Sequence, residues 1–173
     1  MSIHVFRRNG DIERWEDYPP GAIHDKISIS GHLKIQVHDL DGTLLRELDQ
    51  DNLVVKTGRN LVRDLIGAFT TAYPSHLGAG TSNAAVTDDD IALGSESTRI
   101  LIISRTQGTS RLTIRAFMGS TVGNGITYAE AGLFNGLASN STTVMFSRAI
   151  HDSITKSASN TITYIWTLTI ASS

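Results

Sequence analysis

Along most of the chain, apolar residues alternate with polar ones in steps of two. Leu33, Ile35 and Val37 are interleaved with His32, Lys34, Gln36 and His38, the pattern of a half-buried strand. Asp39-Leu40-Asp41-Gly42 is turn chemistry, and Thr43 to Leu48 returns as the partner strand of a hairpin. Asn52-Leu53-Val54-Val55-Lys56 reads as a further short strand. The spacing changes once: after Thr57-Gly58, the residues Leu61, Val62, Leu65, Ile66 and Phe69 recur at three and four, which predicts one short amphipathic helix ending near Gly67 or Phe69. Residues 70–98 read mainly as loop, with Gly78-Ala79-Gly80-Thr81 as a tight bend where backbones pass closely. Strands are then predicted over 99–105, 111–118, 126–134, 142–149 and 160–171. The last sets Ile162, Tyr164, Trp166, Leu168 and Ile170 against Thr161, Thr163, Thr167 and Thr169. Several short strands with regular turn signals predict an all-β protein, an antiparallel β-sandwich of jelly-roll type.

Residues 1–30 break this pattern. Gly10, Pro19-Pro20 and Gly21 interrupt short mixed segments, and Trp15 and Tyr18 stand among charges. The expectation is an extended N-terminal arm over 1–30 and a sandwich domain over 31–173. Trp15, Tyr18 and Ile23 are its candidate partner-binding residues, since isolated apolar side chains need a surface to cover them.

Composition narrows the function. Charged residues make up only 18%, while 18 Ser and 19 Thr fill the polar positions, and Thr favours strands over helix interiors. A net charge of −2 without a basic block argues against nucleic acid as a partner. No apolar run approaches the ~20 residues of a membrane helix, and the N-terminus lacks the layout of an export signal. The absence of cysteine removes disulfides and thiol chemistry.

Few constellations suggest chemistry. His38-Asp39-Leu40-Asp41-Gly42-Thr43 resembles the first motif of haloacid-dehalogenase-type phosphatases, in which the first aspartate attacks phosphorus and Mg²⁺ bridges the pair. That resemblance implies Asp39 and Asp41 as the catalytic pair, but it also requires a parallel sheet with crossover helices, and this chain offers one helix. A hairpin turn explains the same residues more simply. Asp88-Asp89-Asp90 could offer oxygens to a divalent cation, yet reads better as a solvated loop in which one Asp caps a turn beside Ile91. The histidines show no metal-ligand spacing, so no metal or cofactor is expected. Glu130 heads the apolar stretch Ala131-Gly132-Leu133-Phe134, and a buried carboxylate needs a cation. Arg99, Arg115 and Arg148 lie at similar depths in other strands, and a Glu130–Arg ion pair through Arg99 or Arg148 is the structural expectation.

From about Gly31 to Ile170 the order of these signals resembles a widespread group of tailed-bacteriophage virion proteins. The matching pieces include Asn52-Leu53-Val54 with Gly58, His76-Leu77-Gly78-Ala79-Gly80-Thr81, and Asp90-Ile91-Ala92-Leu93-Gly94 with Arg99. Glu130-Ala131-Gly132-Leu133-Phe134, Met145-Phe146-Ser147-Arg148, Lys156 and the closing strand with Trp166 complete the series. Members serve as tail-fibre, baseplate-associated or capsid-surface proteins, and the group carries no catalytic residues. The resemblance implies a non-enzymatic structural protein of the virion packed against capsid or tail subunits; the cysteine-free composition suits assembly in the bacterial cytoplasm, and since symmetric oligomers are the rule for such parts a homotrimer is expected. Because the chain stops where the sandwich stops, a capsid-decorating (cement) role is expected ahead of a tail adaptor or receptor-binding tip.

Overall fold

A computed structural model describes residues 27–137 and 143–172. They form eight strands and one helix: β1 (Ile27–Asp39), β2 (Leu44–Val54), α1 (Lys56–Ile66), β3 (His76–Gly80), β4 (Glu96–Gly108), β5 (Arg111–Met118), β6 (Thr127–Phe134), β7 (Met145–Thr155) and β8 (Asn160–Ser172). Every pairing is antiparallel, and the order β1-β2-β7-β6-β3-β4-β5-β8 closes on itself as a barrel.

The all-β class and the single short helix are therefore as the pattern predicts, but the two-layer sandwich is not what the ladders describe. Two long strands turn the corners. β2 pairs with β1 as far as Asn52 and then with β7 through Leu53 and Val54. β4 pairs with β3 up to Leu101 and with β5 from Ile102 onward, the register shifting between Ile102 and Ser104. An irregularity of this kind bends a strand and lets it leave one group of neighbours for another.

The same pairing corrects three boundaries. Asn52–Val54 is the end of β2 rather than a separate strand. The expected bend at Gly78–Thr81 is largely strand: β3 lies between β4 and β6, with Leu77, Gly78, Ala79 and Gly80 all buried. A strand covered on both faces shows no alternation, which is why its signal reads as loop. β1 begins at Ile27, so residues 27–30, assigned above to the arm, pair with Thr169–Ser172 of β8. Trp15, Tyr18 and Ile23 lie outside the described residues.

The barrel interior is filled by one side of each strand: Leu33 and Ile35 of β1, Ile114 and Met118 of β5, Tyr128 and Leu133 of β6, and Ile162, Tyr164 and Trp166 of β8 are fully or almost fully buried. Outside the barrel, α1 lies along β7. Gly58 permits this, because a Cβ there would collide with the Phe146 carbonyl. Thr57 Oγ1 donates to the Met145 carbonyl at 2.7 Å and locks the contact. Only the N-terminal half of the helix is covered. Gly58 and Leu61 are buried, whereas Ile66 and the following Phe69 are 80% and 82% exposed, so much of the predicted apolar face meets no neighbour among the described residues.

Candidate functional site

The densest polar cluster sits where the 81–95 loop crosses the barrel wall. Glu130 of β6 stands opposite Gly80 of β3, and an added Cβ at Gly80 would press against the Glu130 carboxylate at 2.5 Å. The glycine thus makes room for an acid that is fully buried. Its carboxylate accepts backbone N–H groups from Ser95 at 2.7 Å, Gly94 at 3.0 Å and Ser82 at 3.3 Å. From β7, Arg148 donates Nε and Nη2 to Glu130 Oε2 at 3.0 and 2.8 Å. The same guanidinium reaches Asp90 Oδ2 at 2.7 Å through Nη1 and the Ala84 carbonyl at 3.2 Å through Nη2. Asp90 in turn accepts from Thr87 N and Oγ1 at 3.0 and 2.6 Å.

These bonds make a latch. One arginine and one glutamate hold both ends and the middle of a loop that has no ladder of its own. Two carboxylates share one cation, and the three N–H donors on Glu130 supply the remaining charge stabilisation in a site that excludes water. Its bonds run within the loop, between β6 and β7, or from the loop to these two strands, so the cluster fastens the loop to the barrel wall.

Of the arginines named from the sequence, Arg148 alone meets Glu130. Arg99 is instead bidentate to Glu96 at 2.6 Å through both Nε and Nη2. It also donates to the Gly136 carbonyl at 2.9 Å and lies 3.6 Å over the Phe134 ring. Arg115 is exposed on the outer face of β5. Asp90 is the member that desolvation of Glu130 does not announce; its place before Ile91 suggests only a turn cap, and the structure gives it Arg148 as well.

The other acidic residues singled out from the sequence are also engaged. Asp88 forms two 2.7 Å bonds to Arg59 of α1, and Asp89 lies 3.4 Å from Lys56. These join the loop to the helix start, where Val55 supplies no side-chain cap. Asp39 Oδ1 and Asp41 Oδ1 both accept from Thr43 N, at 2.8 and 3.0 Å, and Thr43 Oγ1 adds a bond to Asp41 at 2.8 Å. Gly42 between them has φ 92°. This is a closed hairpin turn, set in an antiparallel barrel instead of the parallel sheet that the phosphatase motif belongs to. Among the described residues no three His, Asp or Glu side chains converge to hold a metal ion, and no helix is long and apolar enough to cross a membrane.

Beside the latch lies an open cavity of about 490 Å³, with Asn52, Leu53, Asn83, Val86, Arg148 and Ala149 among its lining residues. Two buried basic residues stand elsewhere. His151 is 5% exposed, and burial holds its pKa below the usual histidine value. Lys156 is fully buried, donating to Asn124 Oδ1 at 2.9 Å and the Ser157 carbonyl at 2.6 Å, and burial lowers its pKa too.

The stability of the fold should therefore fall in two stages on acidification. A histidine with a depressed pKa takes up its proton more readily when unfolded, so its contribution is lost as pH falls below about 6.5. Burial would raise the Asp90 carboxyl, but the two Thr87 bonds and Arg148 outweigh it and leave the pKa below 3.8. Its contribution is present above that value and is lost as pH falls through it. Thermal melts from pH 8 to 3 should show both declines, and His151→Gln should shrink the upper one without touching the lower, the partly buried His76, whose pKa burial also depresses, supplying the remainder. A flat profile between pH 7 and 5 would refute the assignment to His151.

No protein-family model, no curated protein and no solved structure matches this chain.

Proposed function

We propose that this protein is a non-enzymatic structural protein of a bacteriophage virion, a capsid-decorating (cement) subunit that assembles as a homotrimer and fits against neighbouring subunits. The observation that carries this reading is where the apolar surface lies. The barrel interior is closed by packed side chains, while Leu101 and Ile103 of β4 are each 61% exposed, and Phe117 of β5, Ile66 and Phe69 are exposed as well. Large apolar side chains exposed outside a filled core, grouped on β4 and β5 and again at the end of α1, mark surfaces that meet other proteins. The acidic residues that could have suggested chemistry hold turns and a loop in place instead. The ordered resemblance from Gly31 to Ile170 supplies the viral setting, and the cysteine-free composition suits assembly in a reducing cytoplasm.

Quantitative mass spectrometry of purified phage particles, released from the host that carries this gene, tests the proposal. Hundreds of copies per particle are expected for a shell-decorating subunit. A few to a few dozen copies would move the same barrel to the tail, as an adaptor or receptor-binding part. Particles without the protein would overturn the virion role altogether.

A further inference from the structure

The outer face of β4, β5 and β8 has an unusual composition. From Ser97 to Ala129, and again from Ser153 to the end, the sequence holds no Asp or Glu. Leu101 and Phe117 flank the Ile102–Ala116 pair on adjacent strands, and Ile103 bulges out beside them. Arg115 stands next to this apolar group, with Arg111 at the start of the same strand; both are exposed, and neither meets a carboxylate among the described residues. The Arg105 guanidinium, nearby, donates to the Pro74 carbonyl at 2.7 Å, lies over the exposed Tyr73 ring at 4.8 Å, and meets no carboxylate among the described residues. Among the described residues this apolar, cationic surface has no counter-charge.

The chain outside the described residues has the complementary chemistry. Asp11 to Tyr18 carries Asp11, Glu13, Glu16 and Asp17 against one base, Arg14, and places Trp15 and Tyr18 among them. We propose that the β4–β5–β8 face is the docking surface for the acidic aromatic segment 11–18 of a neighbouring copy. Trp15 and Tyr18 cover Leu101, Ile103 and Phe117, and the acids meet Arg111 and Arg115. The inference rests on the assembly role proposed above and names the surface through which assembly occurs.

Reach decides for a neighbour over the same chain. Ile27 is opposite Ser172, and Phe117 is opposite Thr163. These levels are nine residues apart along β8, about 30 Å at strand rise. Tyr18 is nine residues before Ile27, so its own chain spans at most about 30 Å even fully extended. Placing Tyr18 on Phe117 of its own chain would need an immediate reversal at Ile27 and no slack; a copy whose barrel end lies alongside has no such constraint. Passing each segment to the next copy closes a ring when the rotation closes.

The natural absence of cysteine makes the test direct. The full-length Tyr18→Cys/Phe117→Cys variant, oxidised with copper phenanthroline, should give reducible covalent oligomers ending at a closed ring. Their yield should exceed that of a Tyr18→Cys/Glu47→Cys control by about tenfold, because Glu47 lies on β2 outside the acid-free face. Arg115→Glu should reduce oligomer formation, measured by light scattering, and Glu16→Arg in the same chain should restore it. Cross-linking no greater than the control, or disulfides formed only within single chains, would overturn the proposal. If cross-linking fails while the protein is found on particles, the docking surface is wrong and the virion role stands. If cross-linking is specific but particles lack the protein, the docking surface stands and the virion role is wrong.

Discussion

Arg148→Met should destabilise the fold by about 3–5 kcal/mol, the usual cost of stranding one member of a buried ion pair. The substitution fills a similar volume, so packing is largely kept while the fully buried Glu130 loses the one cation that meets it among the described residues. Asp90 loses the same partner, and the 81–95 loop is left with the backbone donors on Glu130 and the Arg59–Asp88 pair to α1. Urea unfolding gives the magnitude, and amide exchange gives the location: Gly94 and Ser95 should lose protection before the barrel strands do. Adding Glu130→Gln should return part of the loss, because a neutral amide needs no cation, and that non-additivity separates the ion pair from general core damage. A single-variant loss below about 1 kcal/mol would show that the latch holds nothing that matters to folding.

Gly58→Ala should also be destabilising, and here two effects oppose each other. Helix propensity favours alanine over glycine by about 1 kcal/mol in a helix interior. Against that, the new methyl would enter the space of the Phe146 carbonyl. Backbone of a central strand cannot give way as a flexible side chain can, and overpacking of this kind costs about 1–3 kcal/mol or more. The steric cost should win, leaving a net loss of about 2 kcal/mol or a helix lifted from β7. Lifting would break the Thr57–Met145 bond and expose Leu61, so urea midpoints and exchange of the α1 amides should change together. A gain in stability would mean that α1 is not seated where the close approach places it.

Both predictions depend on parts of the molecule that are unequally legible in the sequence. The Asp39–Thr43 turn can be read from four residues, because Asp and Gly carry their own turn geometry and bond to neighbours two to four positions away. The helix is legible from its spacing, but not that Ile66 and Phe69 remain uncovered. A need of Glu130 for an arginine follows from desolvation alone. Which arginine answers it does not: Arg148 reaches Glu130 because β6 and β7 pair with Gly132 opposite Arg148, while Arg99 is taken three residues away by Glu96.

Residue order alone settled the matters that act over a few positions: β class from the two-residue alternation, the hairpin turn, the single helix, and the acidic aromatic character of the segment before Ile27. Tertiary structure decided the matters that span the chain. Alternation reports which side of a strand is buried and is silent about which strand lies beside it. Barrel closure through the shared strands β2 and β4, the insertion of glycine-rich β3 between β4 and β6, and the convergence of Asp90, Glu130 and Arg148 all depend on long-range register. Such contacts form only when distant segments align, and no local periodicity encodes that alignment.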